Sequence, residues 1–259
     1  ILMFQPSEET GSGAKAVIED PKYNQIQADW AFAIHAKPGS PFGYVATCPG
    51  LINCASLGLI VKLTGKTAHA ANPEDGISPT QAIAKLAPAI EALSQSRELD
   101  ENFQLATITH IQIGEPSFGI APGDGIIYIT IRAARDEQVI KIEGSVRKLA
   151  LLIAKEYGLD VEFVLSDIFA ASINDQDAYQ IAVNAMNAIG VLNGNLGLPM
   201  KASEDFGVFG KSAKAAMLCL GLGEKYPALH NPNYDFLDDL IPIGSAIFER
   251  IARDLLGTK

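Results

Sequence analysis

Two adjacent carboxylates and two histidines stand at positions that suit a shared task. Glu8 and Glu9 follow the apolar run of residues 1–4. His35 closes a second run, Trp30-Ala31-Phe32-Ala33-Ile34, and His230 sits in Leu229-His230-Asn231-Pro232, after a third run at residues 215–220. In open α/β sheets, ligands gather outside the carboxyl ends of the strands. Two imidazoles and a carboxylate converging there form a zinc-type ligand set. Each feature also has a plainer reading. The acidic pair could face a helix dipole with Ser7 as N-cap, His35 could be a polar strand terminus, and His230 could pack on Pro232.

The elements that must position these residues are legible as hydrophobic rhythm. Residues 1–4 read as a buried strand, 10–20 as a helix and 30–34 as a second strand, a βαβ order that implies a parallel sheet. Residues 42–47 read as a further strand. Then the rhythm changes. Residues 57–63, 105–113 and 126–132 alternate as half-buried strands, 79–93 and 138–157 carry helical periodicity, and 161–165 close the set as a strand. Strand, helix, strand, strand, helix, strand is the split βαβ arrangement of ferredoxin-like domains. It delimits residues 55–167 as a domain inserted into an α/β domain made of 1–54 and 168–259. Helix 176–189, strand 215–220 and helix 243–256 complete the outer domain.

Composition limits the functions available. With 48% hydrophobic and 19% charged residues, a chain of 259 can bury a sizeable core. Its formal charge of -10 repels nucleic-acid phosphates and anionic membrane surfaces, so neither is expected as a partner. Cys48, Cys54 and Cys219 are odd in number and lack CxxC spacing. They point to buried thiols in a reducing compartment, taken as the cytoplasm. The chain opens on Ile1 within an apolar run and reaches Gln-Pro-Ser-Glu-Glu at once, which suggests a reading frame without its N-terminal part.

Phe4-Gln5-Pro6-Ser7-Glu8-Glu9-Thr10-Gly11-Ser12-Gly13-Ala14 resembles the FQPxEExxxGA segment of the aminoacylase-like zinc metallopeptidases. The resemblance is to the branch of hippurate hydrolases and indole-acetyl-amino-acid (N-acyl-amino-acid) amidohydrolases. Ala33-Ile34-His35, Gly65-Lys66-Thr67-Ala68-His69-Ala70-Ala71-Asn72-Pro73, Ser203-Glu204-Asp205-Phe206 and Leu229-His230-Asn231-Pro232 are similar to that branch in the same order. The first and last segments are the specific ones.

The resemblance implies a phosphorylase/hydrolase-like α/β catalytic domain with a mainly parallel sheet and an inserted ferredoxin-like α+β dimerisation domain. It further implies an amidohydrolase that cleaves N-acyl amino acids with two divalent metal ions (zinc, manganese, cobalt or nickel) and works as a homodimer. By motif position Glu8 resembles the general base, and Glu9, His35 and His230 resemble metal ligands. His69 resembles a histidine that reaches a partner subunit's active site and stabilises the oxyanion, and Arg132 resembles a substrate-holding arginine. The family's remaining ligands lie in an upstream Cys-Gly-His-Asp type motif that this chain does not contain, so the chain as given is expected neither to hold two metals nor to hydrolyse amides. Gly119-Ile120-Ala121-Pro122 stands where many relatives carry an asparagine donor. His110, in an alternating strand, reads as structural, and Glu204 and Asp205 could orient the site or, as the better reading, cap the helix after Ser203. The rival readings are a dipeptidase or carboxypeptidase of the same family, and a non-catalytic dimerising fragment.

Overall fold

The computed structural model describes residues 1–96 and 98–257. The elements run α1 (Ser12–Glu19), β1 (Trp30–Lys37), β2 (Val45–Ala46), β3 (Gly50–Asn53), β4 (Ala55–Thr64), β5 (Ala68–His69), α2 (Thr80–Glu91) and β6 (Gln104–Ile113). They continue with β7 (Ile120–Ala121), β8 (Asp124–Ala133), α3 (Asp136–Tyr157), β9 (Asp160–Phe169), β10 (Ser172–Asn174), α4 (Gln176–Ala188), β11 (Asn193–Gly194), β12 (Lys214–Gly221) and α5 (Ile241–Leu256). Short 3₁₀ turns, Glu8–Thr10 and Asp205–Lys211 among them, lie between. The chain divides into two compact units. One holds Ile1–Glu8, Ser12–Asn53 and Ala171–Lys259, the other Glu9–Gly11 and Cys54–Ala170.

The first unit is built on a mixed sheet of order β1-β12-β2-β11. β1 and β12 run parallel over eight residues, from Trp30↔Lys214 to Lys37↔Gly221, and β2 meets β12 antiparallel. Both parallel and antiparallel pairing are therefore present, where the sequence suggested a mainly parallel sheet. Alternation along β12 sorts its side chains between two cores. Leu218 and Leu220 join Ala182 and Met186 of α4 and Ile247 and Ile251 of α5, while Met217 and Cys219 join Ile52 and Ala46 on the opposite face. At the start of α5 Pro242 sits in the first turn, where its missing N–H has no partner to lose.

Two expectations fail in this unit. Residues 1–4 are not a strand. Ile1, Leu2 and Phe4 are 91%, 79% and 92% exposed and pair with no strand among the described residues. An apolar run becomes a strand only where a neighbour accepts its ladder and a face is covered. Without that first strand the βαβ reading of residues 1–34 fails too, and the parallel partner of β1 is the distant β12. The strand expected over 42–47 contracts to Val45–Ala46, because Pro41 and Gly43 take the preceding residues into a turn (φ +72° at Gly43).

The second unit is regular. Its antiparallel sheet has the order β6-β8-β4-β9, with β4 bonded over ten residues to β8 and over most of its length to β9. With α2 and α3 in the intervening connections, this is the split βαβ topology expected from the rhythm. Leu57, Leu59, Val61 and Leu63 are buried, whereas Gly58, Ile60 and Lys62 are only half-buried, the signature of a sheet covered on one face. α3 ends on Gly158 at φ +69°, whose N–H caps the Ala154 and Lys155 carbonyls. No helix among the described residues is long and apolar enough to cross a membrane.

Candidate active site

His35 lies within β1, two residues before the strand ends, rather than at its terminus. Phe32, Ile34 and Ala36 pack on the α4–α5 side of the sheet. The period of two therefore turns His35 to the other face, that of its register partner Cys219, where Phe206 also packs. There His35 Nε2 stands 3.3 Å from Glu204 Oε1, in a pair of which only 32% and 12% of the side chains are exposed. His35 Nδ1 lies 2.7 Å from the Ala36 carbonyl oxygen. A carbonyl can only accept, so Nδ1 carries the hydrogen, and Nε2 of the neutral ring presents a lone pair to a carboxylate that also only accepts.

Two acceptors face to face need a cation, either a proton on Nε2 or a metal ion bound by both. Zinc holds nitrogen and oxygen ligands at about 2.0–2.2 Å, which sets two ligands of one tetrahedral ion about 3.3–3.5 Å apart. The His35–Glu204 spacing thus fits part of one coordination shell. A backbone carbonyl accepting from Nδ1–H is the usual orienting partner of a metal-binding histidine.

Glu8 opens the 3₁₀ turn Glu8–Thr10 and is half-buried. Its Oε1 makes a long contact, 3.4 Å, with the Asp205 N–H. Ser7 before it has φ +58°, left-handed backbone rather than the extended conformation of an N-cap. Asp205 is 4% exposed. Its Oδ2 accepts from the Ala14 N–H in the first turn of α1 at 2.8 Å, and both its oxygens lie 2.7 Å from Gln5 Nε2. The expectation that Glu204 and Asp205 cap the helix after Ser203 is corrected here. The following element is a 3₁₀ turn with no side-chain cap at Glu204. Asp205 caps α1 instead, 191 residues away in sequence, and Glu204 faces His35. An acidic residue destined for nine-tenths burial looks like any surface acid in a one-dimensional reading. The only signal was the match of Ser203-Glu204-Asp205-Phe206 to the family pattern.

The other site residues are placed as follows. His230 is exposed in the loop before Asn231, with φ +63°. Glu9 is exposed and groups with the second unit. Among the described residues no three His, Cys, Asp or Glu side chains gather to hold a metal ion, so Glu9, His35 and His230 are not brought into one set. His69 is exposed at the end of β5, paired to Ile120 of β7. Its Nδ1 accepts from the Ala71 N–H at 3.0 Å, which leaves Nε2 to carry the hydrogen as an outward donor. The Gly119 carbonyl accepts from the Ala70 N–H at 3.0 Å, so His69 and the segment lacking the asparagine are neighbours. Arg132 is half-buried in β8, between Ser56 and Leu105, one residue before the strand end.

His110 is exposed rather than half-buried, its ring edge-on to Tyr128 at 5.5 Å. None of the three cysteines is in a disulfide; Cys54 and Cys219 are buried and Cys48 partly so. Burial pushes the Cys219 thiol up to about 12, with Lys37 pulling the other way, and burial also raises Cys48.

The family model for Peptidase family M20/M25/M40 matches residues 1–254, and the chain belongs to that family. It is 28% identical over 254 residues to a hippurate hydrolase of Campylobacter jejuni, covering 97% of this chain and 66% of that protein. It is 24% identical over 257 residues to an N-acetyldiaminopimelate deacetylase of Exiguobacterium sibiricum, covering 98% and 68%. An IAA-amino acid hydrolase of Arabidopsis thaliana is 24% identical over 265 residues, with coverage of 97% and 59%. The chain thus spans 59% to 68% of the length of these relatives. Among solved structures it resembles the YXEP protein of Bacillus subtilis, described as a dinuclear metal binding peptidase of the M20 family. The TM-score is 0.77 at 21% identity, with coverage of 99% of this chain and 65% of that one. A putative aminohydrolase of Staphylococcus aureus gives a TM-score of 0.80 at 20% identity, with coverage of 96% and 64%. At these identities the two structures speak to the mixed α/β fold.

Proposed function

We propose that the complete protein hydrolyses the amide bond of N-acyl amino acids to a carboxylic acid and an amino acid. The observation that carries this reading is the convergence of Glu8 and His35 on two consecutive residues, Asp205 and Glu204. In this reading the residues proposed as base and as metal ligand meet one short stretch, Glu204-Asp205. The relatives named hippurate hydrolase, deacetylase and IAA-amino acid hydrolase support the same substrate class.

In this reading His35 and Glu204 contribute to binding divalent metal, and Glu9 and His230 carry a ligand role by motif position alone, since no three such side chains gather among the described residues. Two such ions, of zinc, manganese, cobalt or nickel, would supply Lewis acidity and lower the pKa of a bound water. Glu8 takes the proton of the attacking water and returns it to the leaving amine. Arg132 holds the substrate. His69, with Nε2–H as its free donor, would stabilise the oxyanion from a second copy of the chain, the second unit serving for dimerisation. Cysteines kept as thiols suit a reducing, cytoplasmic setting.

The test is a panel of N-acetyl, N-benzoyl and indole-acetyl amino acids on the complete protein with added divalent metal, scored beside dipeptides. Turnover of at least one acyl amino acid above every dipeptide is expected. Glu8→Gln should lower kcat by about 10²–10⁴-fold with metal content unchanged. Turnover of dipeptides alone would move the assignment to the peptidase members of the family.

A further inference from the structure

We infer that Asp205 is a positioning residue for Glu8, fastening the backbone that enters and leaves the Glu8 turn. The inference rests on the reading of Glu8 as the base and adds the means by which its carboxylate is held. On the entry side, Gln5 Nε2 donates to the Asp205 carboxylate at 2.7 Å. On the exit side, the Ala14 N–H donates to Oδ2 at 2.8 Å. The Asp205 backbone N–H meanwhile points at Glu8 Oε1. One residue thus grips both flanks with its side chain and touches the base with its main chain.

Several features make the grip strong. The acceptor is a charged carboxylate, 4% exposed, and hydrogen bonds to such groups are roughly twice as strong as neutral ones. Ala14 belongs to the first turn of α1, whose N–H groups lack intrahelical partners and whose dipole favours an anion there. Ala14 itself is fully buried, so water cannot replace the bond. The two flanks also touch directly, the Gly13 N–H donating to the Ser7 carbonyl at 3.2 Å. A Cβ on Gly13 would stand 1.7 Å from the Pro6 oxygen and 3.3 Å from Asp205 Oδ2, so glycine is required for the flanks to close on the carboxylate.

The geometry explains why an aspartate should be there. Glutamate would overreach the Ala14 N–H, and alanine would leave that buried N–H and the Gln5 amide without an acceptor. The loosened turn would let the Glu8 carboxylate wander, and displacement by about 1 Å can cost about 10²-fold in rate.

Asp205→Ala, Asp205→Asn and Gln5→Ala in the complete protein test the inference, with Ile247→Ala in α5 as a destabilising control outside the segment. Hydrogen exchange over residues 4–19, metal content, kcat and KM on the best acyl amino acid are measured for each. Asp205→Ala should speed exchange of the first-turn amides of α1 about tenfold or more. Its kcat should fall about 10–100-fold, with KM within about twofold and metal content retained. Asp205→Asn, whose amide oxygen still accepts from Ala14, should recover part of both effects, and Gln5→Ala should show a smaller loss of the same kind. Ile247→Ala should lower stability without changing kcat per folded molecule. Unchanged exchange, or unchanged kcat, in folded Asp205→Ala overturns the inference. If that variant does not fold, unchanged exchange in both Asp205→Asn and Gln5→Ala overturns it. Should wild type turn over no acyl amino acid while exchange responds as stated, the functional reading falls and the grip of Asp205 on the segment stands.

Discussion

β4 in the second unit and β12 in the first are both central strands, but they are stabilised differently. β4 has long antiparallel neighbours on both sides, β8 over ten residues and β9 over most of its length. β12 has one long neighbour, β1, and on its other side the two-residue β2. β12 is nonetheless buried from Ala215 to Gly221, because α4 and α5 cover one face and Ile52 and Phe206 the other. One unit relies on continuous ladder, the other on cover. A unit of the second kind can carry irregular segments outside its sheet, and Glu8 and the Ser203–Phe206 stretch lie in such segments, held by side chains rather than by a ladder.

The sharpest way to break this comparison is to delete apolar bulk from each unit. Leu59 is fully buried in β4, so Leu59→Ala should cost about 2–5 kcal/mol in denaturant unfolding. Phe4, 92% exposed, belongs to an equally apolar run, yet Phe4→Ala should stay within about 0.5 kcal/mol. A loss at Phe4 as large as at Leu59 would mean that residues 1–4 form a covered strand after all.

A second measurement compares backbone protection. Amides of β4 should exchange slowest in the chain, and those of residues 1–4 at nearly unprotected rates, since the former are bonded on both sides and the latter have no ladder. Slow exchange at residues 1–4 would defeat the distinction.

The smallest expected effect sharpens the account of cover. The Cys219 thiol is raised by burial from 9.0 to about 12. Burial favours the protonated thiol, so its contribution to stability is fully present below about pH 9, where the unfolded thiol is protonated too. That contribution is lost as pH rises from about 9 to about 12. Cys219→Ala should flatten this part of the stability–pH curve, and alkylation of Cys219 at pH 8 should be slower than that of Cys48. Equal alkylation rates would place Cys219 in contact with solvent.

The second unit was legible because its strands and helices carry their own periods. Residues 57–63 alternate, residues 138–157 repeat at helical spacing, and each pattern states which face is buried. The first unit was legible only where an apolar run also found cover. Residues 30–34 and 215–220 did, and became β1 and β12. Residues 1–4 are as apolar and did not, because ladder partners come from elsewhere in the chain and hydrophobicity alone does not report them. His35 was expected at the strand terminus, whereas it lies two residues inside β1.

What the amino-acid order determined by itself is the set of local preferences. It set the two-residue period that turns His35 away from Phe32 and Ile34, the split βαβ rhythm, and the glycine at 13 that lets two backbones touch. It also carried the motif resemblance that pointed to Glu8 and His35. Tertiary structure alone decided that Asp205 caps α1 from 191 residues away and that Glu204 meets His35 at 3.3 Å. Such pairings depend on which carboxylate the folded chain buries beside which donor. Burial is a property of the packed whole, and no local pattern of charge or period encodes it.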